Sequence, residues 1–253
     1  MRNIVFNEAL YAEDVIRTGD LGGHPYQAMV CVARYYMAHG FDTATIRERV
    51  NALYNRDHEY GFIDIADNAI KEAGKRDLAD IRCLTVAATE LETIQGIDGL
   101  RRQRLAFALL VIAKYQNELN PRNHNWVNFR HKDIFAMANV KVSVRDQYLL
   151  LNDLKTQGFI KYNRRVDNLD VRVLYAEEEG TDAVSQVAME IYDMRNLGFQ
   201  FMRLQGGSFF ECKSCGIVVP RKSPRQMYCT ECSKLENAKR SLAFYRKRIG
   251  STP

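Results

Sequence analysis

Residues 212–232 read CKSCGIVVPRKSPRQMYCTEC: Cys212 and Cys215 form one C-x2-C pair, Cys229 and Cys232 a second, with thirteen residues between them. Two residues between cysteines let successive backbone amides wrap around one ion, so each pair makes a knuckle. Two knuckles supply four thiolates, the closed tetrahedral shell of a structural zinc site. Gly216, Pro220 and Pro224 in the spacer suit turns and not a packed core. A segment of about 40 residues buries too little apolar surface to fold alone, so a metal would supply most of its stability. Two disulfides or a redox C-x2-C pair are the alternatives. No βαβ pattern surrounds the cysteines to support the redox one. With all four positions taken by thiolate, the metal is expected to be structural and not catalytic.

The segment carrying these cysteines is basic. Residues 209–253 hold ten Lys/Arg against three acids, and residues 129–175 hold nine against five, within a chain of 253 residues and net charge +5. Residues 1–128 and 176–208 are net acidic. Positive charge gathered on two segments is what phosphate partners require. After Cys232 the run SKLENAKRSLAFYRKRIG predicts a basic amphipathic helix, with Lys239, Arg240, Arg246, Lys247 and Arg248 as its cations and Phe244 and Tyr245 available for stacking. In the spacer, Arg221, Lys222 and Arg225 add to the same surface.

Residues 126–175 carry the second pattern. Trp126–Asn128 reads as a brief strand, KDIFAMAN (132–139) as a short helix, and VKVS as a turn. Ser143 then caps SVRDQYLLLNDLKTQ, which Gly158 stops. Strands over 159–163 and 169–175 flank the polar tip 164–168. Helix, tight turn, longer helix and basic hairpin is the order of a winged helix-turn-helix. In such a fold Arg145, Gln147, Asn152 and Lys155 face outward to base edges and phosphates, and Arg164 and Arg165 hold phosphates from the hairpin tip. Val144, Tyr148, Leu151 and Leu154 are expected to face the core. Asp146 and Asp153 lie on the same helix and would repel a nucleic-acid backbone.

The amino-terminal half predicts a helical bundle. Residues 1–24 give at most a short helix, Pro25 opens a helix that Gly40 stops, and Asp42 caps the next, with apolar residues at Ile46, Val50 and Leu53. Ile63–Ala73 repeats the pattern, and residues 81–86 suit a short strand. Thr89 and Glu92 suggest a capping box before a long helix over 98–119, with Leu105, Leu109 and Ile112 inward and Pro121 at its end. Residues 184–191 alternate in a way that fits strand or helix, and 193–205 predicts a helix. The expected organisation is therefore mainly α: a helical domain (1–120), a winged helix-turn-helix (121–176), a bridging segment (177–208) and a zinc ribbon with a basic helical tail (209–253).

No Gly-rich phosphate loop, nucleophile elbow or H-E-x-x-H pattern is present, and the five histidines are scattered. An enzyme is not expected. The longest apolar run, Leu105–Ala113, is too short to cross a bilayer, and the first residues lack a secretion signature, so no membrane association and a reducing cytoplasm are expected. Cys31 and Cys83 fit that setting as lone reduced thiols.

The stretch from Cys212 to Arg248 resembles a small zinc ribbon of bacterial and phage proteins, in the pattern C-x2-C-G, a basic proline-bearing turn, and Y-C-x2-C with a basic tail. Cys212, Cys215, Gly216, Pro220, Arg221, Gln226, Tyr228, Cys229 and Cys232 carry it. Residues 125–173 are similar to winged-helix segments of phage- and prophage-encoded proteins, and residues 25–119 more loosely to helical segments in the same proteins. The resemblance implies a bacterial or phage setting and carries no activity with it. Two functions fit: a nucleic-acid-binding protein of a phage or mobile element, acting on DNA or RNA, or a protein–protein inhibitor or adaptor, such as an antagonist of a host-defence nuclease. The helical amino-terminal half would offer a protein-binding surface in either.

Overall fold

A computed structural model describes residues 5–54, 63–163, 170–177 and 186–249. Among the described residues the chain is mainly α, with ten helices and seven short strands. The first four helices are α1 (Glu8–Thr18), α2 (Pro25–Ala38), α3 (Thr43–Tyr54) and α4 (Ile63–Ala73). Their starts reflect local chemistry. Asn7 accepts the Leu10 amide at 2.9 Å, Pro25 sits in the first turn of α2, and Asp42 Oδ1 accepts the amides of Ala44 and Thr45 at 3.0 Å. The middle of α2, Ala28 to Ala33, is buried throughout, because α1, α3 and α4 all pack against it.

One ionic knot ties this bundle to the segment after α4. Glu8 is 4% exposed, yet its Oε1 accepts from Arg34 Nη1 and Arg76 Nη2, both at 2.6 Å. Its Oε2 takes Arg76 Nη1 at 2.9 Å and the Ala79 amide at 3.2 Å. A buried carboxylate is tolerable only when so fully partnered.

The chain continues with β1 (Leu84–Ala87), α5 (Ala88–Gln95) and α6 (Leu100–Leu119). The cap of α5 differs from the expected Thr89–Glu92 box: Glu90 Oε2 accepts the Ala87 amide at 2.9 Å, because the cap falls two residues earlier. Glu90 also accepts from Lys114 Nζ at 2.9 Å, an ion pair inside the core. In α6 all nine residues from Leu105 to Ala113 have 0% exposure, so the helix is wrapped on every side and not on one face.

The wrapping comes from β1 and α5 together with β2 (Trp126–Val127), α7 (His131–Met137), α8 (Val144–Thr156), β4 (Val171–Val173) and α9 (Leu197–Leu204), while β3 (Ile160–Tyr162) pairs with β4 and β5 (Val187–Ile191) with β1. Strands β2, β4 and β3 form an antiparallel sheet in that order, with Val127 opposite Val171 and Ile160 opposite Val173. Of the 184–191 alternation, Val187–Ile191 forms strand β5, antiparallel to β1, while 184 and 185 lie outside the described residues; the Phe201 ring of α9 lies 5.3 Å from that of Phe107 of α6. The apolar clusters therefore part between residues 73 and 79: α5 and α6 share their core with residues 127–201, not with α1–α4. Beyond them lie β6 (Phe209–Glu211), its antiparallel partner β7 (Val218–Pro220), and α10 (Thr230–Ile249).

Candidate metal centre and basic surface

The four cysteines converge. Cys212 and Cys215 lie on the turn between β6 and β7, and Cys229 and Cys232 at the start of α10. The first knuckle closes through Gly216 N–H to Cys212 O at 2.9 Å and Cys212 N–H to Ile217 O at 3.0 Å. Gly216 has φ +72°, a backbone that a side chain would strain. The Sγ atoms all lie within 4.8 Å of one another, and Cys215 and Cys229 are 3.8 Å apart. Four sulfurs at about 2.3 Å from a central ion would be spaced by roughly 3.8 Å along each tetrahedral edge. That separation is far beyond a disulfide bond, and all six cysteines are free thiols.

Backbone amides point at two of the sulfurs. The Cys229 N–H donates to Cys212 Sγ at 3.3 Å, and the Cys232 N–H to Cys229 Sγ at 3.5 Å. Burial opposes a thiolate at Cys212, but amides of Cys229, Cys215 and Ser214 outweigh it and bring its pKa to about 6. At Cys232 a hydrogen bond from Ser214 favours the thiolate, but the neighbouring cysteines and burial push its pKa up to about 12. So many crowded sulfurs cannot all be anionic without a cation among them. Donor type, number and spacing fit a tetrahedral four-sulfur metal.

The metal module docks on α9. Arg195 Nη2 donates to Cys215 O at 2.6 Å, Asn196 Nδ2 to Val218 O at 3.0 Å, and Arg203 Nη1 to Glu211 Oε2 at 3.1 Å. Gly198 allows the other side of α9 to press against the end of α7, where a Cβ would meet Ala138 O at 1.9 Å.

The expected nucleic-acid residues fall into groups. On α8, Arg145, Asn152 and Lys155 are exposed and Gln147 is half-buried. The Lys155 ammonium lies 5.3 Å from the Tyr162 ring centroid. Leu151 and Leu154 are buried as expected, but Val144 and Tyr148 are not: they are 66% and 47% exposed, because the amino-terminal turns of α8 project beyond the core. Leu149 joins them at 52%. Asp153 is less repulsive than its sequence position suggests, because Arg102 of α6 donates to its Oδ2 at 2.7 and 3.0 Å. Nothing in the sequence marks that pair, since the partners are 51 residues apart.

On the metal module, Arg221 and Arg225 line one groove together with Lys213, while Lys222 is exposed outside it. Lys213 sits inside the first knuckle, between Cys212 and Cys215, and a lone lysine between metal-ligand cysteines carries no charge-cluster signal in the sequence. Along α10, Lys239 pairs with Glu236 at 2.9 Å and Arg240 is exposed. Arg246, Lys247 and Arg248 lie on the last turns of α10, and their side chains, like those of Phe244 and Tyr245, are outside the described residues. Arg164 and Arg165 also lie outside the described residues.

Among the described residues, no helix is long and apolar enough to cross a membrane. No protein-family model, curated protein or solved structure matches the chain.

Proposed function

We propose that this chain is a non-enzymatic nucleic-acid-binding protein of a phage or mobile element, acting in the cytoplasm of a bacterial host, whose four clustered cysteines hold one structural zinc ion. Zinc suits four thiolates in tetrahedral array, and by neutralising them it would cross-link two knuckles that have almost no apolar core of their own. The observation that carries the reading is the placement of Lys213, Arg221 and Arg225 along one groove of the metal module. Residues 121–176 would serve as a winged helix-turn-helix, a reading supported by the succession α7, turn, α8, β3, β4 with β2 completing the sheet. There Arg145, Gln147 and Asn152 would face base edges, and Lys155 with Arg164 and Arg165 the phosphates. Several neutralised phosphates imply steep salt dependence. Affinity for DNA or RNA should be measurable at low salt (about 50 mM) and fall at least tenfold by about 200 mM. No binding at low salt, or binding indifferent to salt, overturns the proposal.

The second reading, a protein-binding inhibitor or adaptor, is favoured by one observation. Val144, Tyr148 and Leu149 expose apolar surface on the same helix that would enter DNA. A pull-down from bacterial lysate with and without nuclease separates the two. A polypeptide retained after nuclease digestion favours the inhibitor, and nucleic acid as the sole retained species favours the first reading.

A further inference from the structure

The groove on the metal module encloses about 740 Å3 between β6 and the turn over 221–227, with Arg203 of α9 at its edge. Its one carboxylate, Glu211, is engaged by Arg203. Among the described residues, the Lys213 ammonium and the Arg225 guanidinium have no acidic partner. Arg221 lies with its guanidinium 5.4 Å from the Phe210 ring centroid and gives one N–H to Pro224 O at 3.2 Å, which fixes its plane beside an aromatic face. The groove is not purely cationic. Phe209 is half-buried, tilted against Phe199 at 5.2 Å, and Met227 is 44% exposed.

We propose that this groove takes single-stranded nucleic acid, with unstacked bases against Phe209 and Met227 and the backbone phosphates on Lys213, Arg221 and Arg225. The inference rests on the nucleic-acid reading above and goes further by naming the strand state and the residues that select it. A duplex keeps its base faces inside the stack, so it would touch the cations and leave Phe209 and Met227 facing water. A single strand satisfies both kinds of surface at once, the charged track and the apolar face. Cation–π geometry at Arg221 further suits a base or ribose laid across the same wall.

The test uses the full chain loaded with zinc and fluorescence anisotropy against three probes: a short oligo-dT, an oligo-rU of equal length, and a DNA duplex. K213Q/R221Q/R225Q should cost a single strand at least tenfold more affinity than it costs the duplex, which α8 can also hold, and the preferred single strand identifies DNA or RNA as the source. K213Q/R221Q/R225Q should reduce single-strand affinity and lower the log–log salt slope by about 2, since each phosphate contact contributes roughly 0.7. Phe209→Leu should lose about fivefold or more with the slope unchanged, the signature of lost stacking. Because Phe209 also packs in β6, the glutamine variant, whose changes are at the surface, keeps the proposal open to refutation, and zinc content reports that each variant is folded. A glutamine variant that binds single strands normally, or that loses as much affinity for the duplex as for single strands, overturns this inference and leaves the nucleic-acid reading standing. Failure to bind any of the three probes overturns both.

Discussion

Asn139 and Asn196 share a hydrogen bond, Nδ2 of Asn139 to Oδ1 of Asn196 at 3.0 Å, and Asn196 passes the connection on to Val218 O at 3.0 Å. The first residue lies in the turn before α8 and the second just before α9, and both have left-handed backbones, with φ of 54° and 53°. Asn139 Oδ1 also accepts the Phe199 amide at 3.1 Å. The two surfaces proposed to meet nucleic acid are thus referenced to one side chain. Asparagine suits the position twice over, because it tolerates the left-handed region and its amide can donate and accept at once.

Asn196→Gly keeps the backbone conformation and removes the bridge. The expected loss is about 1–3 kcal/mol, from leaving Val218 O and Asn139 short of partners. Thermal unfolding measures the stability, and faster metal release to a chelator would show that the module has loosened. A Gly variant as stable as the parent, holding metal equally well, would show the bridge to be incidental.

Gly198→Ala should destabilise by about 3 kcal/mol, since the added carbon would meet backbone atoms of Ala138 at 1.9 and 2.5 Å, and backbone cannot rotate away. Denaturant titration checks it. A neutral result would mean that α9 and α7 are not pressed together as described.

Cys31 gives a pH dependence of definite sign. Burial first, then the nearby Glu8 carboxylate, raises its thiol to about 12. The folded chain therefore keeps a proton that the unfolded chain releases near pH 8.5–9. Its contribution is fully present below that range and is lost as pH rises towards 12, at up to about 1.4 kcal/mol per unit. Stability measured from pH 8 to 11 should fall less steeply in Cys31→Ala than in the parent. Equal slopes would remove Cys31 as the cause.

The Arg102–Asp153 pair makes a linked prediction for α8. Arg102→Met frees the Asp153 charge at the surface proposed for DNA and should weaken duplex binding by up to about fivefold. Adding Asp153→Asn should restore it. If the double variant binds no better than Arg102→Met alone, charge at Asp153 is not what the arginine masks.

What could be read from the residues alone was whatever is local. The C-x2-C spacing placed four sulfurs within one coordination sphere, Asp42 and Ser143 announced their helices, and Gly158 and Pro121 ended theirs. What depends on neighbours distant in sequence was not legible. The periodicity of α6 suggested one buried face, but strands and helices from residues 84–204 enclose its middle, Leu105 to Ala113, on all sides. Val144 and Tyr148 have the spacing of core residues yet stand exposed, with Tyr148 edge-on to the His131 ring of α7 and not inside the core. The groove was half visible: Arg221 and Arg225 stood out by charge, but Phe209 and Met227 come to it from β6 and from the turn before Cys229.

The claim on which the rest depends is that one metal ion organises the carboxy-terminal module. Elemental analysis of freshly purified, reduced protein should find one zinc per chain, and Cys229→Ser should lose it, with unfolding confined to residues 209–253. Protein without stoichiometric transition metal, or a Cys229→Ser variant that retains all of it, would contradict the account.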